Sequence, residues 1–143
     1  MSRADYYILP DSDPDSRAAF LCRLCDKILG LGLRVFISTE HESDARRLDQ
    51  QLWSARPDSF VPHVLLGNTP ESPIEIGWGD QLPDHHQVFV NLSANLPDAA
   101  FNFERIVEIV VQTPEVLAAT RDNYARCRDR GIELHRTDMR QRG

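Results

Sequence analysis

The most suggestive spacing in this 143-residue chain lies near its end. Leu117, Arg121, Tyr124 and Arg128 recur at intervals of four, three and four, so on a helix they form one stripe. An aromatic ring flanked by guanidiniums can take an apolar anchor and a carboxylate together, because the planar guanidinium fork matches a carboxylate with two hydrogen bonds. A competing reading makes Leu117 and Tyr124 the core-facing side of the helix, with the arginines reaching solvent along their apolar stems. Spacing alone leaves both open.

The other reactive side chains give no catalytic pattern. Cys22-Arg-Leu-Cys25 has the spacing of a redox motif, but it lies inside a helical segment with no strand-to-helix turn before it. Cys22, Cys25 and Cys127 are therefore expected to be free, the first two shielded and slow to react. An odd number of cysteines also argues against a disulfide framework. The histidines at 41, 63, 85, 86 and 135 lack ligand spacing such as H-E-x-x-H, so no metal is expected. Glu40/Glu42 and Glu104/Glu108 read as solvated faces or caps; the latter pair, on a strand, would share a face beside apolar neighbours, which is odd but not catalytic. No serine, cysteine or threonine has a base at identifiable spacing. An enzyme is not supported.

The elements that must position these residues follow from periodicity. Residues 6–9, 35–37, 64–66, 74–76, 88–92 and 106–111 read as short buried strands, and 132–134 as a last edge strand. Asp13-Pro14-Asp15 opens a helix that ends at Gly30 and Gly32. Thr39 and Ser43 are candidate caps for a helix to about Trp53, with Ala45, Leu48, Leu52 and Trp53 on one face. Pro114-Glu115 begins a helix closed by Gly131, and Pro97-Asp98 can open a short one. Helices alternating with buried strands predict one α/β domain over 1–143, three-layer α/β/α and Rossmann-like, with a mostly parallel sheet. A dinucleotide fingerprint is missing: Pro10-Asp11-Ser12-Asp13 follows the first strand, and Gly30-Leu31-Gly32 follows a helix. No cofactor is expected.

Charge narrows the class of partner. The whole chain carries −6, while residues 121–143 hold seven arginines against four acids. A local positive patch on an acidic protein suits a small acidic partner better than a long nucleic acid. No apolar run approaches the ~20 residues of a membrane span, and the opening MSRADYY lacks a signal-peptide layout, so no membrane contact and a cytoplasmic location are expected.

The run Leu48-Asp49-Gln50-Gln51-Leu52-Trp53, followed by Ser59-Phe60-Val61-Pro62-His63, resembles the chi subunit family of bacterial DNA polymerase III. Tyr6-Tyr7-Ile8-Leu9, Pro73-Ile74-Glu75-Ile76-Gly77-Trp78 and Arg121-x-x-Tyr124 ending at Gly131 fit the same family, over nearly the whole chain. The resemblance implies a non-catalytic accessory subunit of the clamp-loader complex with a Rossmann-like fold and no nucleotide site. It implies two partners: the psi subunit, and the acidic C-terminal tail of single-stranded DNA-binding protein, which ends in a phenylalanine carboxylate. DNA is then met only indirectly. The family's tail-binding positions match Arg121, Tyr124, Val110 and Trp53, with Arg128 acting on the tail's upstream acids. The psi-facing surface falls at Phe60, Val61 and Pro62. Where some members carry a lysine one turn before Arg121, this chain has Leu117; Arg126 or Arg128 is the candidate replacement. The alternative from a different class is an orphan α/β nucleotide-binding protein or enzyme, and a second is a direct single-strand DNA binder, which needs more stacking aromatics than Tyr124.

Overall fold

A computed structural model of the chain describes residues 2–54, 62–68 and 72–140. Seven strands run through it: β1 (Arg3–Ile8), β2 (Val35–Thr39), β3 (Val64–Leu65), β4 (Ile74–Trp78), β5 (Val88–Asn91), β6 (Arg105–Val110) and β7 (Glu133–Asp138). They form one sheet in the order β3-β4-β2-β5-β6-β1-β7. Every pairing is parallel, so the sheet is parallel throughout rather than mostly so. The β-branched runs explain this, since a parallel sheet is buried on both faces and needs apolar residues on both.

Helices α1 (Pro14–Gly30) and α2 (Glu42–Ser54) cover one face, and α3 (Pro114–Asp129) with a short 3-10 helix (Asp98–Asn102) covers the other. Alternation along each strand sorts the core. Val35, Ile37, Val88, Val90, Val107 and Ile109 pack under α1 and α2, while Ala4, Tyr6, Phe36, Phe89, Ile106 and Val110 pack under α3 and the 3-10 helix. Gly77 on β4 permits close packing there: a Cβ at that position would stand 2.8 Å from the Phe36 ring.

The helix starts are capped in different ways. Asp13 caps α1, its carboxylate accepting the Ser16 N–H at 2.7 Å. Neither Thr39 nor Ser43 caps α2. The Thr39 hydroxyl instead donates to the Gly77 carbonyl at 2.9 Å, which ties β2 to β4, and the Asp44 carboxylate accepts the His41 N–H at 3.2 Å.

Candidate functional site

Helix α3 begins at a Thr113 cap and lies over β6 and β1. Its fully buried residues are Asn123 and Cys127, with Val116 half-buried on the same line. This core-facing line sits one residue away from the Leu117–Arg121–Tyr124–Arg128 stripe. The stripe therefore runs along the helix's boundary with solvent. Leu117 and Tyr124 are half-buried against the core, and Arg121 and Arg128 are exposed. Tyr124 packs edge-on to Tyr6 of β1, ring centroids 5.2 Å apart.

The arginines of this helix differ in what they already hold. Arg126 donates to the Leu96 carbonyl and pairs with Asp98 at 2.7 Å. Arg130 stacks over the Phe101 ring at 4.0 Å and reaches Asp98 at 3.7 Å. Arg128 lies 3.4 Å from Asp129. Arg121 has no ion pair, hydrogen bond or ring contact among the described residues. Arg126 is thus committed to the 3-10 helix and is a poor substitute for the charge absent at Leu117.

The other two residues expected at the tail site have different surroundings from the stripe. Val110 is only 2% exposed, beneath the start of α3. It can support the site from below but offers no surface to a partner's ring. Trp53 lies at the end of α2, in the helical layer on the opposite face of the sheet from α3. Its ring packs on His63 at 4.8 Å, and it is 54% exposed. His63 is held in turn by Asp49, whose carboxylate is 3.2 Å from Nε2. Trp53 therefore shares a surface with half-buried Pro62 rather than with Arg121. Of the other residues expected to face psi, Phe60 and Val61 lie outside the described residues.

Beneath α3 lies a buried polar network that periodicity did not reveal. Glu108 on β6 is 5% exposed. Asn91 of β5 donates to its Oε1 at 2.7 Å, and Asn123 of α3 donates to the same oxygen at 3.3 Å. Its other oxygen has no partner among the described residues, beside a cavity of about 110 Å³ whose lining includes Arg17, Ser93 and Thr120. Burial pushes the Glu108 carboxyl up to about 7, against the pull of Asn91, the Tyr6 hydroxyl, Asn123 and the Arg17 guanidinium. Asn123 also receives the Leu96 N–H at 3.2 Å and donates to the Ala94 carbonyl at 3.0 Å, so one side chain pins α3, β6 and residues 94–96 together. The visible signal was the odd placement of Glu108 between Ile106 and Val110; nothing comparable marked Asn123.

The remaining chemistry stays quiet. Cys22 and Cys25 are fully buried, as expected, and burial pushes the Cys25 thiol up to about 12. The crossovers from β1 and β6 leave to opposite faces, so the carboxyl ends of these neighbouring strands form the crevice where doubly wound sheets hold ligands. Here Gln112 fills that position: its side-chain amide donates to the Leu9 carbonyl at 3.0 Å and its backbone N–H to the Asp11 carbonyl at 2.8 Å. No helix is long and apolar enough to cross a membrane among the described residues.

Comparison with known proteins places the chain among named relatives. Residues 1–135 match a family model described as DNA polymerase III chi subunit, HolC. A protein of Pseudomonas aeruginosa named DNA polymerase III subunit chi is 34% identical over 134 residues, 94% of this chain and 94% of that protein. Proteins of the same name from Haemophilus influenzae and Escherichia coli are 31% and 30% identical, over 92% and 94% of this chain and 93% and 97% of their own lengths.

Proposed function

The chain belongs to the DNA polymerase III chi subunit family, and we propose that it serves in DNA replication as a non-catalytic adaptor of the clamp loader, pairing with psi and binding the acidic C-terminal tail of single-stranded DNA-binding protein. The observation that carries the tail half is Arg121. It is a guanidinium with no partner among the described residues, three positions before a half-buried tyrosine on the boundary of α3. The tail's terminal carboxylate takes the guanidinium fork, and its last ring lies against Tyr124 and Leu117. Arg128 acts on upstream acids at longer range. Psi is received at Phe60, Val61 and Pro62; the Trp53 ring packs on His63, next in sequence to Pro62. Because α2 and α3 lie on opposite faces of the sheet, the two partners do not compete for the same side of the molecule. DNA is reached only through the coated strand.

Titration calorimetry with a peptide copying the tail tests the first half. Arg121→Ala should cost about 2 kcal/mol or more of affinity, as for truncating one partner of a desolvated charge pair. Arg121→Lys should recover only part of that, since an ammonium cannot reproduce the two-pronged contact. Wild-type affinity in Arg121→Ala places the tail site elsewhere. For the second half, Phe60→Ala should weaken psi binding by about 2 kcal/mol, the range of a buried aromatic anchor. An unchanged psi affinity per folded molecule, with a sharp fall in melting temperature, assigns Phe60 to the domain's own core instead.

A further inference from the structure

A second pair of neighbouring strands sends its connections opposite ways. β2 leads through α2 toward β3 at one edge of the sheet, and β5 leads through the 3-10 helix to β6, toward the other edge. Open α/β sheets hold ligands in the crevice outside the carboxyl ends of such a pair. Here the crevice is open. A cavity of about 150 Å³ lies between α1 and α2, against the end of β2 and the residue after β5. An apolar cavity of about that size admits a molecule as large as benzene. Its inner wall is apolar, made by Ala18, Leu21 and Leu48, all buried, and half-buried Leu92.

Most polar groups of this cavity are already engaged. The Thr39 hydroxyl donates to the Gly77 carbonyl at 2.9 Å, and the Gln51 amide donates to Asp15 at 3.1 Å. Asp44 accepts the His41 N–H and faces Arg47 at 3.9 Å. Arg17 is different. Its Nε donates to the Ile109 carbonyl at 3.0 Å, and its two terminal nitrogens have no partner among the described residues. The side chain is half-buried, and burial draws the guanidinium below its ordinary value. It stays charged in a protein nonetheless, and a desolvated charge without a partner is costly. Arg17 also borders the cavity beside Glu108, so one guanidinium stands between two cavities. Glu108 is the nearest counter-charge in the fold, yet among the described residues the two form no ion pair. With its carboxyl at about 7, Glu108 is mostly uncharged below neutrality. There the charge on Arg17 is left for a ligand to compensate.

We propose that this crevice binds a short-chain monocarboxylate, its carboxylate on the terminal nitrogens of Arg17 and its alkyl end against Leu21, Leu48 and Leu92. The guanidinium fork matches a carboxylate with two hydrogen bonds. An apolar wall with a few placed polar groups is the usual make-up of a small-molecule site. Arg47 at the mouth adds attraction, while Asp44 beside it disfavours a dianion. The site lies on the opposite face of the sheet from Arg121 and does not depend on either partner reading.

The test is an NMR titration of the isotope-labelled full chain with sodium butyrate, with butyramide, and with sodium chloride at matched ionic strength. Butyrate at pH 6 should give saturable shifts at the backbone amides of Leu21, Leu48 and Leu92. Its dissociation constant should be on the order of 1 mM, within reach of so small a ligand. Butyramide, the same shape without the charge, should bind roughly ten-fold more weakly, and chloride should give no saturable shift. Arg17→Ala should abolish saturation. Because Arg17 also holds the Ile109 carbonyl, Glu108→Gln is the second variant. Ionised Glu108 competes with the ligand for Arg17, so wild-type affinity should fall roughly three- to ten-fold from pH 6 to pH 8. Glu108→Gln should bind butyrate equally at both. The other ionisable groups around Glu108 are Tyr6 and Cys127, both held protonated by burial, and Glu115 at the cavity rim. Equal binding of butyrate and butyramide, or of butyrate by wild type and Arg17→Ala, overturns the proposal. So does a wild-type affinity that is the same at both pH values, which puts the anion out of reach of the charge on Glu108 and away from Arg17. Absence of saturable shifts with butyrate leaves the crevice to water and overturns it as well.

Discussion

Replacing Glu108 by glutamine is expected to stabilise the protein by about 3 kcal/mol at pH 8 and to change little at pH 4. The carboxyl has an ordinary value of 4.5 and is pushed by burial to about 7 in the fold. The folded protein therefore holds this proton where the unfolded chain has released it. Stability from this group is complete below about pH 4.5 and is lost as the pH rises through about 7. At ~1.4 kcal/mol per tenfold change in proton affinity, the span from 4.5 to about 7 comes to about 3 kcal/mol. Glutamine keeps an acceptor for Asn91 and Asn123 and removes the buried charge. Urea unfolding of both proteins across this pH range decides the matter. A wild type whose stability does not decline between pH 5 and pH 8 relative to Glu108→Gln would show that the carboxyl ionises freely in the fold.

Truncating Asn123 to alanine should cost about 3 kcal/mol and lower the melting temperature by roughly 10 °C. The change deletes three hydrogen bonds, to the Leu96 N–H, the Ala94 carbonyl and Glu108. It also strands buried polar groups that water cannot reach, which is the expensive part of losing such a side chain. The exposed neighbour Asp122 is the control: Asp122→Ala should shift stability by less than ~0.5 kcal/mol. Equal effects at the two positions would mean that Asn123 does not bind α3 to the sheet.

How much of this was legible depended on which physical signal each residue carried. The strands at 35–37, 88–92 and 106–111 announced themselves, because a parallel sheet demands branched apolar residues on both faces. The cap at Asp13 was legible from local chemistry alone. The face of α3 was not. Val116, Thr120, Asn123 and Cys127 repeat at four, three and four, the same rhythm as Leu117, Arg121, Tyr124 and Arg128. Periodicity gives the period of a helix and not its rotation, and a buried asparagine between an aspartate and a tyrosine reads as solvated. Trp53 shows a different limit. Its place opposite α3 depends on which face of the sheet each crossover takes, which no local pattern encodes. The β1–β7 register, which sets Tyr6 beside Arg136, is a pairing across 130 residues of sequence that no local pattern encodes.

That same pairing bears on how the molecule is made. β1 leaves the ribosome first, yet its neighbours in the sheet are β6 and β7, the last two strands to be synthesised. Until residue 110 has emerged, the segment at residues 4–9 has neither hydrogen-bonding partner in place, and until residue 138 has emerged it still lacks the second. Such an unpaired strand is an invitation to wrong pairing between nascent chains. Closure of loops this long also makes the final step slow compared with forming the local helices. The burden of proteostasis therefore falls on the first few residues. A fault there leaves a slot between β6 and β7 in the finished sheet rather than a frayed end.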